Sequence, residues 1–554
     1  MASIERWIGG PGTGKTRLIQ GELTASREAL GLSTAEVGCC TFTRAGRAEL
    51  SERVAASWGC EPEALTKHGW FRTAHSIAFK QAQIEEGRLL EGGDGAEWVS
   101  DAVGQKIVAK RSQDGGTEFE SGEGNNSATL SLRAWELARQ TMTTLSSVIE
   151  LWSSIGDDAP GISEAESIVR KYEIAKTREG RIDFTDLVSL YAGVKHCPQE
   201  GPSEVQPVGD VPESLRVLAI DEAQDSSAIV DRICRRLASS PNMERVLIVG
   251  DPYQSIFGFG GSDFRHFLAW DAEEKTMEQS FRCPDIVMKL GESCIRQMRT
   301  GYRDRGIKPA THDGRIEHAF DVTDAISRIK PDKSTLILGR CAFALAEYEA
   351  ELTTAGIPYS WIDASPGGSA LSGYRALWDL EHGEVVSGPE WAAAVAILAV
   401  KHKELGKLLH HGEKTAWAKG NRSDVDLVLP IPEYLERAGC EQPLIELIKA
   451  GRWAEAMDTK HAAKADAWRR CAVSHGPELA TSPKTRLSTI HSAKGCEGDT
   501  VILSTISSKA VETARLSLSS RWDEECRVNY VAVTRARENL IVVDDGGKYR
   551  LELP

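Results

Sequence analysis

Eight residues near the start of the chain have the types and spacing needed to bind phosphate groups. They fit the pattern G-x-x-x-x-G-K-[ST] and are Gly9, Gly10, Pro11, Gly12, Thr13, Gly14, Lys15 and Thr16. Glycines let the backbone curl so that its N–H groups point at phosphate oxygens. Lys15 offers a positive charge to the β- and γ-phosphates, and the hydroxyl of Thr16 is a ligand for Mg²⁺. The alternative is a glycine-rich turn, but an apolar strand before it and a helix over Lys15–Leu30 favour a phosphate site.

Two adjacent carboxylates supply the second part of a hydrolysis site. Asp221 and Glu222 directly follow Val217–Ile220, an apolar run typical of a strand that is buried on both faces. Ligands of open α/β sheets bind at the carboxyl ends of the strands. We expect Asp221 to hold Mg²⁺ through water and Glu222 to polarise the attacking water. The alternative is that the pair caps the next helix, because Asp is a good N-cap residue.

The elements that position these residues alternate between α/β and helical stretches. Strand and helix patterns alternate at both ends of the chain, whereas residues 81–178 and 372–480 are mainly helical. Residues 112–127 are polar and rich in Gly, Ser and Asn, which predicts a loop. This order predicts two domains with parallel sheets, each interrupted by a mainly helical insertion.

Composition limits the class of protein. The 554 residues have an ordinary globular composition and a formal net charge of −15, which argues against a protein that coats nucleic acid nonspecifically. The twelve cysteines are scattered and no C-x-x-C occurs, so we expect reduced thiols rather than a metal or iron–sulfur site. The chain has no signal peptide and no apolar run long enough to cross a membrane, so we expect a cytoplasmic, nucleoid-associated protein, or one in the host cytoplasm if virus-encoded.

Further motifs in a fixed order resemble superfamily 1 DNA helicases of the UvrD/Rep-like class. The phosphate loop resembles motif I, and Ile220 to Asp225 resembles motif II. The remaining matches, in chain order, are Cys40 to Ala45 (motif Ia), Thr73 to Ser76 (T-F-H), Asp183 to Leu187 (D-F-x-D-L), Gly250 to Phe259 (motif III), Ser280 to Arg282 (motif IV), Thr489 to Glu497 (motif V) and Glu524 to Arg537 (motif VI). The resemblance implies an α/β fold of two RecA-like P-loop domains with parallel sheets. It places domain 1A at 1–80 and 181–278, insertion 1B at 81–180, domain 2A at 279–371 and 481–554, and a short insertion 2B at 372–480.

The resemblance also implies roles for single residues. Gln254 would sense the γ-phosphate, and Arg282 and Arg535 would be arginine fingers. The nucleotide would further contact Arg17 and Phe281 at the adenine and Glu497 at the ribose. The residues placed against single-stranded DNA are Phe42, Thr73, His75, Phe257, Phe259 and His491. Stacking on bases fits the three phenylalanines, although each could instead belong to a hydrophobic core.

Two departures from the family pattern concern the nucleotide and the T-F-H segment. The family places an adenine-reading glutamine upstream of motif I, whereas eight residues precede Gly9 here, so we expect the base to be read loosely. Ala74 stands where the family has the aromatic residue of T-F-H.

These observations predict an ATP-dependent DNA helicase that moves on single-stranded DNA, with a 3′→5′ polarity taken from the resemblance alone. The expected cofactors are ATP and Mg²⁺. The expected partners are single-stranded and tailed duplex DNA and a replication or repair protein, with the chain acting as a monomer away from membranes. One alternative is a translocase that displaces proteins or drives a partner with little unwinding. Another is an ATP-gated DNA-binding scaffold.

The C-terminal residues suggest a hairpin. Leu540 to Val543 is apolar, Asp544 to Gly547 is a turn signal, and Lys548 to Leu551 can return as a second strand. In the family, a hairpin after motif VI often acts as a pin at the duplex junction. The alternative is a segment that only closes the edge of the sheet.

Overall fold

The computed structural model describes residues 2–90, 92–111, 117–119, 126–156, 158–362, 370–422, 425–457 and 459–554. The chain divides into two compact units. The first comprises Met1–Asp313, Lys509–Thr534 and Leu553–Pro554, and the second comprises Gly314–Ser508 and Arg535–Glu552. The predicted loop at 112–127 lies largely outside the described residues.

The strands, in chain order, are β1 Ser3–Gly9, β2 Val37–Thr41, β3 Trp70–Thr73, β4 Ala109–Arg111, β5 Thr117–Phe119, β6 Val194–Cys197, β7 Gly201–Glu204, β8 Val217–Ile220, β9 Arg245–Gly250, β10 Glu273–Met277, β11 Gln279–Pro284, β12 Lys308–Ala310, β13 Arg315–Ala319, β14 Thr335–Gly339, β15 Tyr359–Trp361, β16 Val386–Ser387, β17 Lys401–His402, β18 Gly406–Lys407, β19 Leu427–Val428, β20 Thr485–Thr489, β21 Gly498–Ser504 and β22 Ala536–Val543. The α-helices are α1 Lys15–Leu30, α2 Arg44–Trp58, α3 Pro62–Thr66, α4 Ala74–Ala82, α5 Gly92–Val103, α6 Ser127–Gln140, α7 Leu145–Ser154, α8 Ile162–Glu179, α9 Phe184–Ala192, α10 Ala228–Ala238, α11 Phe264–Leu268, α12 Asp285–Arg296, α13 Val322–Ser327, α14 Ala346–Ala355, α15 Ala370–Glu381, α16 Gly388–Ile397, α17 Glu413–Ala418, α18 Pro432–Arg437, α19 Gln442–Lys449, α20 Thr459–His475, α21 Pro477–Thr481, α22 Lys509–Ser517 and α23 Ser519–Val533.

The first unit is organised on a six-stranded sheet with the order β10-β1-β9-β8-β2-β3. All neighbouring strands pair in parallel, and β2 and β8 are buried along their whole length. Continuous apolar strands of this kind occur where helices cover both faces of a sheet. The carboxyl ends of β1, β8 and β9 therefore meet at one edge, which is where the phosphate loop and Asp221 begin.

The second unit contains a second six-stranded parallel sheet with the order β13-β22-β21-β14-β20-β15. Its core includes Ile337, Leu487, Ile502 and Ile541, one from each of the central strands β14, β20, β21 and β22. Two parallel sheets of this kind confirm the predicted α/β fold class with two RecA-like domains.

The two helical stretches each bury their own apolar side chains. Helices α5–α8 enclose a cluster around Trp135 and Tyr172, and helices α15–α21 enclose one around Trp391 and Trp453. The domain bounds taken from the sequence remain a prediction. Residues 279–313 and 509–534 belong to the first compact unit, although the sequence suggests that they are part of domain 2A. No helix among the described residues is long and apolar enough to cross a membrane.

A buried ionic network fastens α9 to α6 and α8. Asp183 is the N-cap of α9 and forms a capping box with Asp186. Arg139 and Lys176, whose side chains are 2% and 3% exposed, each pair with both carboxylates at 2.6–3.0 Å. Burial alone would raise the pKa of Asp183, but the charges of Arg139 and Lys176 hold that pKa well below its usual range. The D-F-x-D-L segment is thus a structural clamp between helices.

The C-terminal hairpin predicted from the sequence is wrong. The segment after β22 does not return along that strand, because Arg550 forms an antiparallel bridge with Ile506. The amide of Ser507 donates to the carbonyl of Tyr549 at 2.8 Å, and Leu551 donates to Thr505 at 2.7 Å. The segment therefore pairs with the residues that follow β21, and no hairpin with β22 forms. Because β21 is an interior strand of the sheet, the segment does not close a sheet edge either.

Candidate active site

The phosphate loop joins the end of β1 to the start of α1. Gly12 and Gly14 have φ values of +67° and +83°, which favour glycine, and Gly14 is the N-cap of α1 without a side-chain cap. The side chain of Lys15 folds back across the loop, and its Nζ lies 3.3 Å from the carbonyl oxygen of Gly9. The uncapped N–H groups at the start of α1 and the cation together form a site for an anion.

Asp221 and Glu222 follow β8 at the same edge of the sheet. Asp221 is buried, and burial together with the Glu222 carboxylate raises the pKa of Asp221 to about 7, while Lys15 acts in the opposite direction. The Glu222 carboxylate lies 4.0 Å from Lys15 Nζ. Two carboxyl groups and a cation placed so closely match the needs of phosphoryl transfer. The helix-cap alternative fails for Glu222, which provides no side-chain cap to Ala223–Asp225.

A chain of hydrogen bonds connects Glu222 to Gln254. Gln224 Nε2 donates to Glu222 Oε2 at 2.5 Å, and Gln224 Oε1 accepts from the amide of Asp251 at 2.9 Å. Asp251 Oδ2 in turn accepts from Gln254 Nε2 at 2.9 Å. No role was predicted for Gln224 or Asp251 from the sequence, although both lie within the matched motifs. Both are polar residues that follow closely on an apolar strand, and this was the signal in the sequence that could have identified them.

Residues 280–282 lie directly against the phosphate loop. Ser280 Oγ donates to the carbonyl of Pro11 at 2.7 Å, and the amide of Phe281 donates to the carbonyl of Gly12 at 2.8 Å. A Cβ atom on Gly12 would come within 2.2 Å of Arg282 Cβ, so only glycine permits this approach. The structure therefore brings Arg282 to the loop. Phe281 is 70% exposed, and Arg17 is exposed as well.

Three predicted site residues belong to the second unit. Arg535 is buried and donates to the carbonyl of Cys496 at 3.4 Å. Glu497 lies 3.5 Å from Arg537, and His491 is partly buried in the turn after β20. Their roles at the nucleotide and DNA remain predictions.

The residues predicted to contact DNA differ in exposure. Phe42 packs partly against the core of the first unit, and Thr73 is a buried N-cap that accepts from Ser76. The ring of His75 lies beside that of Phe184, with 6.2 Å between centroids.

Two neighbouring rings are better placed for stacking on DNA bases. Phe257 and Phe259 lie edge to face at 6.0 Å, and Phe259 is 48% exposed, which argues against the core alternative at that position.

The available donors fit Mg²⁺. Magnesium prefers oxygen ligands and is held by one or two carboxylates together with substrate phosphates. Thr16 in the first turn of α1 and Asp221 after β8 provide a hydroxyl and a carboxylate at the loop. Among the described residues, no cluster of three or more His, Cys, Asp or Glu side chains offers a complete protein site for a metal. A Mg²⁺ ion held by Thr16 and Asp221 would be shared with the phosphates of the nucleotide.

Comparison with known proteins places this geometry in a family. The UvrD/REP helicase N-terminal domain matches residues 7–275, and the UvrD-like helicase C-terminal domain matches residues 470–544. ATP-dependent DNA helicase UvrD2 of Mycobacterium tuberculosis is 22% identical over 96% of this chain and 75% of its own length. ATP-dependent DNA helicase srs2 of Schizosaccharomyces pombe is 22% identical over 72% of this chain and 46% of its own length. PcrA of Staphylococcus aureus, also named an ATP-dependent DNA helicase, is 21% identical over 57% of this chain and 40% of its own length. The chain belongs to the UvrD/REP helicase family.

Proposed function

We propose that the protein is an ATP-dependent DNA helicase that moves along single-stranded DNA. The observation that carries the proposal is the hydrogen-bonded chain from Glu222 through Gln224 and Asp251 to Gln254 beside an intact phosphate loop. A protein that only binds nucleotide has no need for this group of residues at the γ-phosphate position. The names of the relatives, all ATP-dependent DNA helicases, support the same activity.

The predicted catalytic residues have distinct parts in hydrolysis. The loop amides and Lys15 bind the β- and γ-phosphates, while Thr16 and Asp221 would hold Mg²⁺. When bound, that ion neutralises charge on the phosphate oxygens. Glu222 accepts a hydrogen bond from the attacking water. Arg282, already against Gly12, stabilises the charge that develops on the transferred group, and the family resemblance implies the same role for Arg535.

Phe259 would link this chemistry to DNA. Its exposed ring follows Gln254 by five residues, so a change at the γ-phosphate can reach the bound strand over a short segment. Stacking on an aromatic ring accepts any base, as a translocating protein requires. We propose that ATP binding and hydrolysis switch the protein between states that bind the strand differently, so that the protein moves along it. The 3′→5′ direction is taken from the family resemblance.

A translocase with little unwinding is the second candidate, because the predicted C-terminal pin hairpin does not form. Under both candidates the chain acts as a monomer on DNA in the cytoplasm or nucleoid. A replication or repair protein would recruit it.

The test is a measurement of ATP turnover with and without single-stranded DNA, followed by unwinding of duplexes with 3′ or 5′ tails. The proposal expects stimulation by DNA and displacement of the strand from the 3′-tailed duplex. Stimulated turnover without displacement on either duplex supports the translocase. Nucleotide-dependent DNA binding without turnover would instead identify a scaffold.

A further inference from the structure

Asp251 is a fully buried carboxylate at the centre of the candidate site. Its Oδ1 accepts from Arg305 Nη1 at 2.6 Å and from the amide of Tyr253 at 3.0 Å. Its Oδ2 accepts from Gln254 Nε2 at 2.9 Å and from the hydroxyl of Tyr530 at 3.3 Å. A buried charge of this kind is stable only when it is paired and hydrogen-bonded.

Arg305 supplies the balancing charge from outside the motifs quoted above. Its side chain is 4% exposed and its second terminal nitrogen donates to Glu292 at 2.8 Å and to Tyr530 at 2.9 Å. The guanidinium also lies over the Tyr253 ring, 4.4 Å from its centroid. The side chain is therefore held in one orientation by four neighbours.

Asp251 determines how two glutamine amides are oriented. A carboxylate paired with a guanidinium only accepts hydrogen bonds, so Gln254 must turn Nε2 towards Asp251 and Oε1 away from it. The Asp251 amide donates to Gln224 Oε1, which turns Gln224 Nε2 towards Glu222. One residue, Asp251, thus orients Gln254 through its carboxylate and Glu222 through its amide and Gln224.

We propose that Arg305 is a positioning residue for nucleotide hydrolysis. It fixes Asp251, and through Asp251 it fixes the amide of Gln254 and the carboxylate of Glu222. The inference rests on the proposed function, since it presumes that these two groups act at the γ-phosphate. Displacement of a catalytic group by about 1 Å can lower a rate by roughly 10²-fold.

The experiment compares Arg305→Met with Arg245→Met. Arg245 lies at the opposite end of β9 from Asp251 and pairs with Glu5 and Glu22, so its loss destabilises the same sheet without touching the site. For Arg305→Met we expect kcat of the DNA-stimulated ATPase to fall by about tenfold to a hundredfold, with the Kd for a fluorescent ATP analogue within about threefold of wild type. Arg245→Met should retain the wild-type kcat per folded molecule.

Two further variants keep the test decisive if Arg305→Met does not fold. Tyr530→Phe removes the hydroxyl shared by Arg305 and Asp251 and should lower kcat by about threefold or more without a change in nucleotide Kd. Arg305→Lys keeps the charge and should recover part of the activity lost in Arg305→Met.

Wild-type kcat in Arg305→Met or, if it does not fold, in Tyr530→Phe overturns the positioning role. A parallel loss of kcat and nucleotide binding also overturns it, because Arg305 would then only support the loop. Absence of turnover in the wild-type protein is a different result, since it removes the proposed function itself.

Discussion

At the scale of single residues, backbone conformation sets the site as much as side-chain chemistry does. Glu222 has a φ of +50°, in the left-handed region that residues other than glycine rarely adopt. The amide of Glu222 donates to Asp221 Oδ1 at 2.9 Å, which holds this turn directly after β8. Strain of this kind is maintained only where the surroundings impose it, and it commonly marks functional positions. It directs the Glu222 carboxylate towards Lys15 and Gln224.

Lys15 is expected to be essential for turnover. Lys15→Ala removes the cation that faces the β- and γ-phosphates, so ATP hydrolysis should fall to background. Single-stranded DNA binding without nucleotide should be unchanged, and a melting curve serves as the control for folding. Hydrolysis at the wild-type rate would show that the nucleotide binds elsewhere.

Glu222→Gln should separate binding from hydrolysis. The amide keeps an oxygen that can accept from Gln224 Nε2, so the local geometry is retained while the ability to take up a proton is lost. Turnover should drop by roughly 10² or more. Nucleotide affinity, measured by equilibrium binding, should stay within a few-fold of wild type, and its loss would make Glu222 a structural residue.

At the scale of elements, the sequence predicts the strands and helices around the site well. The predicted bounds of α1 and β8 agree with the structure, because continuous apolar runs next to glycine or acidic residues leave little choice of element. The chain after β22 was predicted wrongly, since a turn signal does not specify which strand it returns to. Arg305 could not be predicted, because its partner Asp251 is 54 residues away in sequence.

The clamp at the start of α9 allows a quantitative comparison of two helix caps. Asp183→Ala removes an N-cap and leaves Arg139 and Lys176 with one carboxylate fewer in a buried site. The free energy of unfolding should fall by about 3 kcal/mol or more. Asp321→Ala, at the exposed N-cap of α13, should cost only about 1 kcal/mol. Equal losses in denaturant titrations would show that the buried ion pairs add nothing to stability.

Phe259 and Phe267 give a matched pair for stacking and packing. Phe259→Ala truncates a ring that is 48% exposed, so DNA stimulation of the ATPase should weaken while the melting temperature changes little. Phe267→Ala removes a fully buried ring from the same unit and should cost about 3–5 kcal/mol of stability. A large loss of stability in Phe259→Ala, with normal stimulation per folded molecule, would favour packing instead.

At the scale of the whole molecule, interactions between residues that are close in sequence do not determine how the chain divides into its two compact units. Helices α12 and α23 are separated by more than two hundred residues, yet a Cβ on Gly291 would lie 2.9 Å from Thr534 and 3.2 Å from Tyr530. Such contacts assign 279–313 and 509–534 to the first unit, and no pattern within either segment reports them. The net charge of −15 likewise describes solubility and leaves the location of a DNA contact open.

The separate core of helices α15–α21 predicts a separate unfolding event. Its buried residues all come from 374–480, and a segment with its own hydrophobic core behaves as a cooperative unit. A nucleotide that binds the first unit at 100 times its Kd should stabilise that unit by about 2.7 kcal/mol. A non-hydrolysable ATP analogue should therefore slow hydrogen exchange around the phosphate loop and β9 but leave it unchanged around Trp391 and Trp453. Lys15→Ala is the control, because it should abolish the slowing. Equal protection of the helical core in the wild-type protein would mean that the two parts unfold together.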